Sequence, residues 1–270
     1  MNLTTSRIIL LTKRGRNEKA SMSYSGVAPT LIMIALLALR ALPLWRNEDP
    51  MQKIILVVAT RNRGKSRELR TFLEGFPVEI KDLNDFGPIP EVEEDGRTFE
   101  ENAYKKASFT AKVLGLPALA DDSGLEVKAL EGAPGVYSAR YAGPEANDDE
   151  NNAKLLDTLA QVTDREARFC CVISVAVPAG PALTYEATCD GAIVNDPRGS
   201  NGFGYDPLFY YPPLGKTFGE MSLEEKSRVS HRGKAMMELR TEFDKVVAWL
   251  TRRMEEEKLR RVGGEMCNHG

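Results

Sequence analysis

The sequence predicts an α/β fold with a mixed central sheet flanked by helices, and three observations support this prediction. Lys53 to Thr60 is a nearly continuous apolar run, the pattern of a strand buried on both faces, and a helical spacing of apolar residues follows it. Arg168 to Val177 and Leu183 to Val194 are two strand-like runs joined by PAGPA, which is typical of a hairpin. We therefore expect parallel and antiparallel strands in a single domain of about 200 residues.

The other elements are predicted from apolar spacing and from residues that begin or end helices. Leu69, Phe72 and Leu73 recur at helical spacing, and Thr98 with Glu101 three residues later forms a capping-box pattern. The remaining predictions in chain order are a helix from Ser66 to Leu73, a strand at VEIKDL, a helix from Thr98 to about Leu114, a strand in LPALADDSGLEV that ends at its two aspartates, a helix from Asn147 to Leu159, and a last helix from His231 to about Leu259.

The charge balance argues against a nucleic-acid partner. The 270 residues carry a formal net charge of −3. Residues 1–50 contain seven Lys or Arg and three Asp or Glu, a net +4, so residues 51–270 carry −7. Nucleic-acid-binding domains are usually basic. An acidic domain that binds phosphate needs local basic side chains, a metal ion, or both.

The four cysteines indicate a reducing, cytoplasmic location. Cys170, Cys171, Cys189 and Cys267 include no CxxC pair and no metal-ligand spacing. Cys170 and Cys171 are adjacent in an apolar strand and should point to opposite faces, so they are interpreted as reduced packing residues rather than a disulfide.

The first fifty residues differ in composition from the rest and are left out of the fold prediction. Their apolar run, Val27 to Leu39, is too short to span a bilayer without tilt or thinning. We interpret the segment as an upstream extension or a mis-assigned start, with a signal-like segment as the alternative. Met51 then begins the first strand. The chain divides into an extension (1–50), a domain without a membrane partner (51–253) and a charged tail (254–270).

The loop after the first strand is a candidate phosphate-binding site. It resembles a P-loop, but Ala59 stands in place of the first glycine and lacks that residue's freedom at positive φ. Thr60 and Asn62 can donate hydrogen bonds to phosphate oxygens, Lys65 supplies a positive charge, and the following helix N-terminus adds backbone N–H groups. The alternative is an ordinary turn in which Gly64 allows positive φ.

Two groups of carboxylates are candidates for metal binding and for acid–base chemistry. Glu93, Glu94 and Asp95 form a cluster just before a helix, where one of them could bind Mg²⁺ or all could simply favour the helix dipole. Asp121 and Asp122 close an apolar strand, and alternation should send their side chains to opposite faces. One would then serve as a metal ligand or base and the other would fix the turn, whereas a simple Asx-turn is the alternative.

Two motifs near the C-terminus are candidates for binding a nucleobase. In GFGYDP, Phe203 and Tyr205 offer flat rings for stacking, and Asp206 could accept from a ring N–H. In EEKSRVSHR, Lys226, His231 and Arg232 surround Ser230, a suitable N-cap. This arrangement favours an anion or nucleobase clamp over the structural role that is commoner for a single histidine.

Five motifs in one order resemble the inosine triphosphate pyrophosphatase family, in particular its bacterial branch. They are ATRNRGKSREL, TFEENAYKKA, ADDSGLEVKALEGAPGVYSARYAG, NGFGYDPLF and EMSLEEKSRVSHR. Each alone is a weak signal, but all five together are specific and cover Met51 to about Leu250. The resemblance implies an elongated two-lobed domain with a central cleft, a homodimer, and hydrolysis of ITP, dITP and XTP to the monophosphate and diphosphate.

The resemblance also implies roles for individual residues. Asp122 would accept the proton of the attacking water, and Glu93 or its neighbour Glu94 would bind the cofactor Mg²⁺ together with Asp122. Thr60, Asn62 and Lys65 would contact the triphosphate. The full set of implied substrate-binding residues is Thr60, Arg61, Asn62, Arg63, Gly64, Lys65, Ser123, Phe203, Gly204, Tyr205, Asp206, Lys226, His231 and Arg232.

Two other functions stay open at this point. A P-loop-like NTPase or kinase would release the γ-phosphate rather than diphosphate. A nucleotide-sensing or RNA-interacting protein would bind ITP without Mg²⁺-dependent hydrolysis, although the intact ADDSG motif and the acidic charge speak against it.

Overall fold

A seven-stranded mixed sheet forms the centre of the protein, as the sequence predicts. The computed structural model describes residues 53–266. Their strand order is β2-β1-β3-β4-β5-β6-β7, with β1 parallel to β2 and β3 and the other neighbours antiparallel. The strands are β1 (Ile54–Val58), β2 (Val78–Asp82), β3 (Ala118–Val127), β4 (Glu166–Ala176), β5 (Ala182–Ile193), β6 (Phe209–Tyr211) and β7 (Lys216–Thr217).

The predicted hairpin is confirmed, whereas the predicted end of the third strand is wrong. β4 and β5 pair in an antiparallel register. β3 does not end at Asp121 and Asp122 but continues to Val127, because β4 pairs with it along its whole length. Backbone pairing with β4, rather than apolar character, therefore decides how far β3 extends. The acidic pair lies in the middle of the strand.

Six α-helices flank the sheet within the described residues. They are α1 (Arg63–Phe72), α2 (Phe99–Leu114), α3 (Asp148–Thr158), α4 (Leu223–Val229), α5 (His231–Thr241) and α6 (Phe243–Met266). None of them is long and apolar enough to cross a membrane. The predictions for residues 1–50 and for Cys267 lie outside the described residues, while Cys170, Cys171 and Cys189 are free and buried.

Two helix boundaries differ from the predictions, and one predicted capping box forms only in part. α1 begins at Arg63, earlier than predicted, because Asn62 caps it. The last predicted helix is interrupted at Glu242 (φ −102°, ψ 4°), and the apolar spacing continues across this interruption, so periodicity does not reveal it. Thr98 caps α2 as predicted, but the Glu101 carboxylate accepts from the Arg97 N–H rather than from the cap residue.

The hydrophobic core has two main clusters along the sheet, and the acidic pair of β3 lies between them. One cluster packs α1, α5 and α6 against Leu119, and the other packs α3 and β6 against Leu125. On the opposite face, α2 packs its fully buried Ala107 and Ala111 against β3. The polar residues of β3 from Asp121 to Ser123 therefore separate two apolar regions, and a binding site is expected there.

Candidate active site

The site forms where β3 extends beyond β1. β1 pairs with β3 only through Val57–Ala118 and Val58–Leu119, and the last backbone bond of this pair joins the Ala59 N–H to the Leu119 carbonyl. Past Leu119, no strand of residues 53–266 pairs with this edge of β3. A ligand at this edge can reach side chains from both faces of the sheet, since those of Asp121 and Asp122 alternate there.

The predicted phosphate loop lies beside this edge and is held in place by its own side chains. The Asn62 Oδ1 accepts from the N–H groups of Gly64 and Lys65, and the Thr60 Oγ1 accepts from the Asn62 N–H. The side-chain Nδ2 of Asn62 stays available for an anion, whereas the Gly64 and Lys65 N–H groups at the start of α1 are already bonded to the Asn62 Oδ1. Arg61 and Arg63 are exposed on the same loop. The structure therefore brings the whole predicted segment together at one helix N-terminus.

Asp121 joins the phosphate loop to the helix that begins at His231. Its carboxylate accepts from Lys65 (3.2 Å) and forms an ion pair with Arg232. Burial alone would raise the pKa of Asp121, but Arg232, Lys65 and Lys106 together lower it well below its ordinary value. Asp121 is thus ionised and positions cations, whereas the sequence analysis expected one of the two aspartates to fix a turn.

Asp122 faces α2 and contacts a half-buried lysine that the sequence analysis missed. The Asp122 Oδ1 lies 2.7 Å from the Lys106 Nζ, which is 3.3 Å from the Glu94 Oε2, and Asn102 donates to the Asp122 Oδ2 at 3.4 Å. Burial raises the pKa of Asp122, while Lys106 opposes this shift. The motif TFEENAYKKA contains Lys106, and its position four residues after Asn102 is the signal that could have identified it.

The acidic loop presents Glu94, not Glu93, to this cluster. Glu93 is exposed and Glu94 is half-buried against Lys106. Among the described residues no group of three or more His, Cys, Asp or Glu side chains could hold a metal ion. Two carboxylates facing one cation nevertheless fit Mg²⁺, which takes one or two protein carboxylates together with phosphates and water. Of the two residues that the resemblance allowed, the geometry favours Glu94 as the partner of Asp122.

A cavity of about 140 Å³ lies next to Ser123, on the side away from Lys106. Phe203 forms part of its wall with 62% of its surface exposed, and the Lys226 Nζ lies 4.9 Å from the centre of its ring. Tyr205 also lines the cavity but is only 4% exposed, and its hydroxyl donates to the Ser138 carbonyl. Of the two predicted stacking rings, Phe203 is the one with an exposed face.

Polar groups at the base of this cavity are buried. Asp206 is 2% exposed, pairs with Lys226 and accepts from the Phe203 N–H, so its carboxylate is already bonded. Lys226 and Arg232 each approach the Phe203 ring. The cavity therefore combines one aromatic face with two cationic side chains.

His231 is a buried, neutral side chain in the cavity wall. Its ring stacks on Phe169 with a centroid distance of 4.6 Å and an interplanar angle of 13°. Burial, together with Arg232 and Lys226, lowers the pKa of His231 well below its ordinary value. Its Nδ1 has no hydrogen-bond partner within residues 53–266. A neutral imidazole suits a hydrogen bond to a base better than an ion pair with an anion.

Together, these features define an α/β protein with a cationic loop, an acid pair and an aromatic cavity along one edge of its central strand. The model of the Ham1 family matches residues 56–242, most of the chain, so the protein belongs to the Ham1 family.

Curated relatives share much of this sequence. A dITP/XTP pyrophosphatase of Syntrophobacter fumaroxidans is 69% identical over 221 residues, which is 82% of this chain and 95% of the relative. A dITP/XTP pyrophosphatase of Geobacter sulfurreducens is 56% identical over 183 residues, 67% of this chain and 92% of the relative.

Solved structures share the fold. The Ham1 protein of Staphylococcus aureus superposes with a TM-score of 0.67 at 42% identity and covers 71% of this chain and 98% of its own. A HAM1 protein of Coxiella burnetii gives 0.68 at 42% identity, with 71% and 99% covered. The α/β fold and the family resemblance inferred from the five motifs are therefore confirmed.

Proposed function

We propose that the protein is a Mg²⁺-dependent pyrophosphatase that converts ITP, dITP and XTP to the monophosphate and diphosphate. The observation that carries the proposal is that three consecutive residues of β3 reach three parts of one site: Asp121 pairs with Lys65 of the phosphate loop, Asp122 pairs with Lys106, and Ser123 lines the aromatic cavity. The activity in the names of the two curated relatives supports the same substrate class. Hydrolysis of such nucleotides would keep them out of nucleic acid.

In this proposal different side chains bind the outer phosphates, the base and the metal ion. Lys65, Thr60 and Asn62 hold the outer phosphates, and Phe203 stacks on the base. Glu94 and Asp122 would hold Mg²⁺, which supplies charge neutralisation at the phosphates. Asp122 accepts the proton of the water that attacks the α-phosphorus, and the leaving diphosphate stays next to Lys65.

Selection of the base would depend on its 6-position. Lys226 and Arg232 approach the Phe203 ring, so a cationic donor lies near the plane where a base would stack. A hydrogen-bond donor at this position can bond to the 6-oxo group of inosine or xanthine. The same donor would have no acceptor opposite the 6-amino group of adenine. Discrimination of roughly 10⁴-fold is attainable with a buried polar group of this kind.

The assembly and the extent of the enzyme are also proposals. Homodimers and a cytoplasmic location are inferred from the family resemblance and from the reduced cysteines. The active unit is taken to be residues 51–253, because the family match lies within it. Residues 1–50 are interpreted as an extension that catalysis does not need.

The decisive experiment separates diphosphate from orthophosphate among the products. The purified protein is incubated with ITP, XTP, dITP, ATP and GTP, with and without Mg²⁺. Release of diphosphate and monophosphate from ITP, dITP and XTP, only with the cation present, is the expected result. Orthophosphate with a nucleoside diphosphate would instead indicate a γ-phosphate hydrolase or kinase, and binding without turnover would indicate a nucleotide sensor.

Replacing Asp122 tests the proposed general base. Asp122→Asn keeps the shape of the side chain but cannot accept a proton, so kcat should fall by about 10²- to 10⁴-fold. The variant should still unfold cooperatively. Asp164→Asn serves as the control. It removes an exposed carboxylate that pairs with Lys128 and has no assigned role in the site, so turnover should not change. Normal diphosphate release by Asp122→Asn would remove Asp122 from this role.

A further inference from the structure

The start of α3 uses a carboxylate that its own capping does not require. Asn147 caps this helix by accepting from the Glu150 N–H, and the Glu150 carboxylate accepts from the Asn147 N–H in return. Asp148, the first residue of the helix, takes no part in this capping box. An acid at this position commonly favours only the helix dipole. Here the Asp148 carboxylate has a specific partner in a distant loop.

That partner is the backbone of Gly204. Side chains of α3 bond to both the N–H and the carbonyl of this residue. The Asp148 Oδ2 accepts from the Gly204 N–H at 2.6 Å. The Asn152 Nδ2, one helical turn later, donates to the Gly204 carbonyl at 3.0 Å. Two side chains spaced four residues apart therefore fix one peptide segment from the same helix face.

Gly204 is adjacent to Phe203, the exposed ring of the cavity, in a loop that needs external support. Gly202 and Gly204 both have positive φ, at 83° and 60°, a conformation that glycine adopts without steric cost. Glycine also leaves the unbound chain free to take many other conformations. Asp206 holds the Phe203 N–H from within the loop. The hydrogen bonds from α3 hold Gly204, the residue that follows Phe203.

The same helix also holds the opposite wall of the cavity. Asn151 is 3% exposed, its Oδ1 accepts from the Ala142 N–H at 2.8 Å, and its Nδ2 donates to the Ala139 carbonyl at 3.1 Å. Ala139 and Phe203 both line the cavity. The first turns of α3 thereby fix the relative position of its two walls.

We propose that Asp148 and Asn152 are positioning residues for purine binding: by holding Gly204 they keep Phe203 in place to stack on the base. The inference rests on the proposed function, because it assigns the cavity to the purine. Neither residue is assigned a part in the chemical step: Asp148 lines the cavity, but its carboxylate is bonded to the Gly204 N–H, and Asn152 is bonded to the Gly204 carbonyl.

The test compares Asp148→Ala and Asp148→Asn with a matched control, Asp149→Ala. Asp149 carries the same charge in the same helical turn and forms no hydrogen bond with Gly204, so its loss reports any effect of the helix dipole. Three quantities are measured: amide hydrogen exchange in residues 199–208 of the free protein, KM and kcat for ITP, and inhibition by inorganic triphosphate, which binds only the phosphate end.

Asp148→Ala should raise the KM for ITP about tenfold and leave kcat within about twofold, because stacking is weakened while Asp122 is undisturbed. Its residues 199–208 should exchange faster, and inhibition by inorganic triphosphate should not change. Asp148→Asn keeps an acceptor oxygen and should restore most of the KM. Asp149→Ala should match the unaltered protein in all three measurements.

Equal exchange and equal KM in Asp148→Ala and Asp149→Ala would overturn the inference. A joint fall of kcat, thermal stability and triphosphate inhibition in Asp148→Ala would also overturn it, since that pattern indicates general damage. If the unaltered protein releases no diphosphate from ITP, the proposed function fails and takes this inference with it. Normal release with indistinguishable variants rejects this inference alone.

Discussion

At the scale of single residues, neighbouring acids in β3 act on different parts of the site. Asp121 pairs with Lys65 and Arg232, whereas Asp122 contacts Lys106. Strand alternation predicts this division from the sequence. It does not predict the partners, because Arg232 is 111 residues from Asp121 and only the folded chain brings them together.

The position of the metal ligand can be tested with two adjacent glutamates. Glu94→Gln should raise the Mg²⁺ concentration for half-maximal activity by at least about tenfold. Loss of a group that only hydrogen-bonds to a metal ligand already weakens metal binding by about that factor. Glu93→Gln removes the same charge from an exposed neighbour and should leave the Mg²⁺ requirement unchanged. A titration of diphosphate release against Mg²⁺ measures both. The opposite ranking would return the role to Glu93.

Burial of His231 makes stability depend on pH. Burial, with Arg232 and Lys226, lowers the pKa of His231 in the folded protein, while the unfolded chain binds a proton near the ordinary histidine pKa. Stability from this residue is therefore present above that pKa and is lost as the pH falls, by up to about 1.4 kcal/mol per pH unit.

His231→Gln isolates this effect. The free energy of unfolding of the unaltered protein, relative to the variant, should decline between about pH 7 and about pH 5. Denaturant titrations of both proteins give this difference, and groups common to both cancel in it. A difference that does not vary with pH would show that His231 has the same pKa in the folded and unfolded states, and would contradict the expectation.

At the scale of elements, α2 combines a small-residue face with the residues that contact Asp122. Ala103, Ala107 and Ala111 are fully buried, so the helix lies close to β3 and β4. These alanines recur every four residues, which is the spacing of one helix face. Asn102 and Lys106 could not be assigned in the same way, because a polar residue beside an alanine face is equally consistent with a solvated position.

Enlarging this face should affect both stability and turnover. Ala107→Leu overpacks the contact between α2 and β3 and should cost about 1–3 kcal/mol of unfolding free energy. It should also lower kcat, since α2 carries Lys106 next to Asp122. Denaturant unfolding and ITP turnover provide the measurements. Lys112→Leu places the same leucine side chain at an exposed position of the same helix and should change neither.

At the scale of the whole molecule, the sequence was most informative where patterns are local. Apolar runs and turn residues predicted the mixed sheet and the hairpin of β4 and β5. The extent of β3 was missed because it is set by pairing with β4. The interruption at Glu242 was missed because the apolar spacing continues from one helix into the next. The motifs predicted which residues meet, but not the bridging role of Lys106.

The proposed active unit can be tested by removing the extension. A chain that begins at Met51 should fold and hydrolyse ITP with a kcat/KM within about twofold of the full chain, because the site residues all follow Met51. The family match from residue 56 motivates this expectation. Thermal unfolding and diphosphate release of the two proteins are compared directly. Loss of folding or of activity would make residues 1–50 part of the enzyme.

Asp121 pairs with both Lys65 and Arg232, so in the proposed mode of binding the two ends of the substrate would be thermodynamically dependent on each other. A phosphate that draws Lys65 away would remove one of the two ion-pair partners of this carboxylate, and this would change the affinity at the far end. By reciprocity a nucleoside would then alter the affinity for diphosphate by the same factor. The shared counter-ion would thus let the protein distinguish one intact nucleotide from its two separate halves.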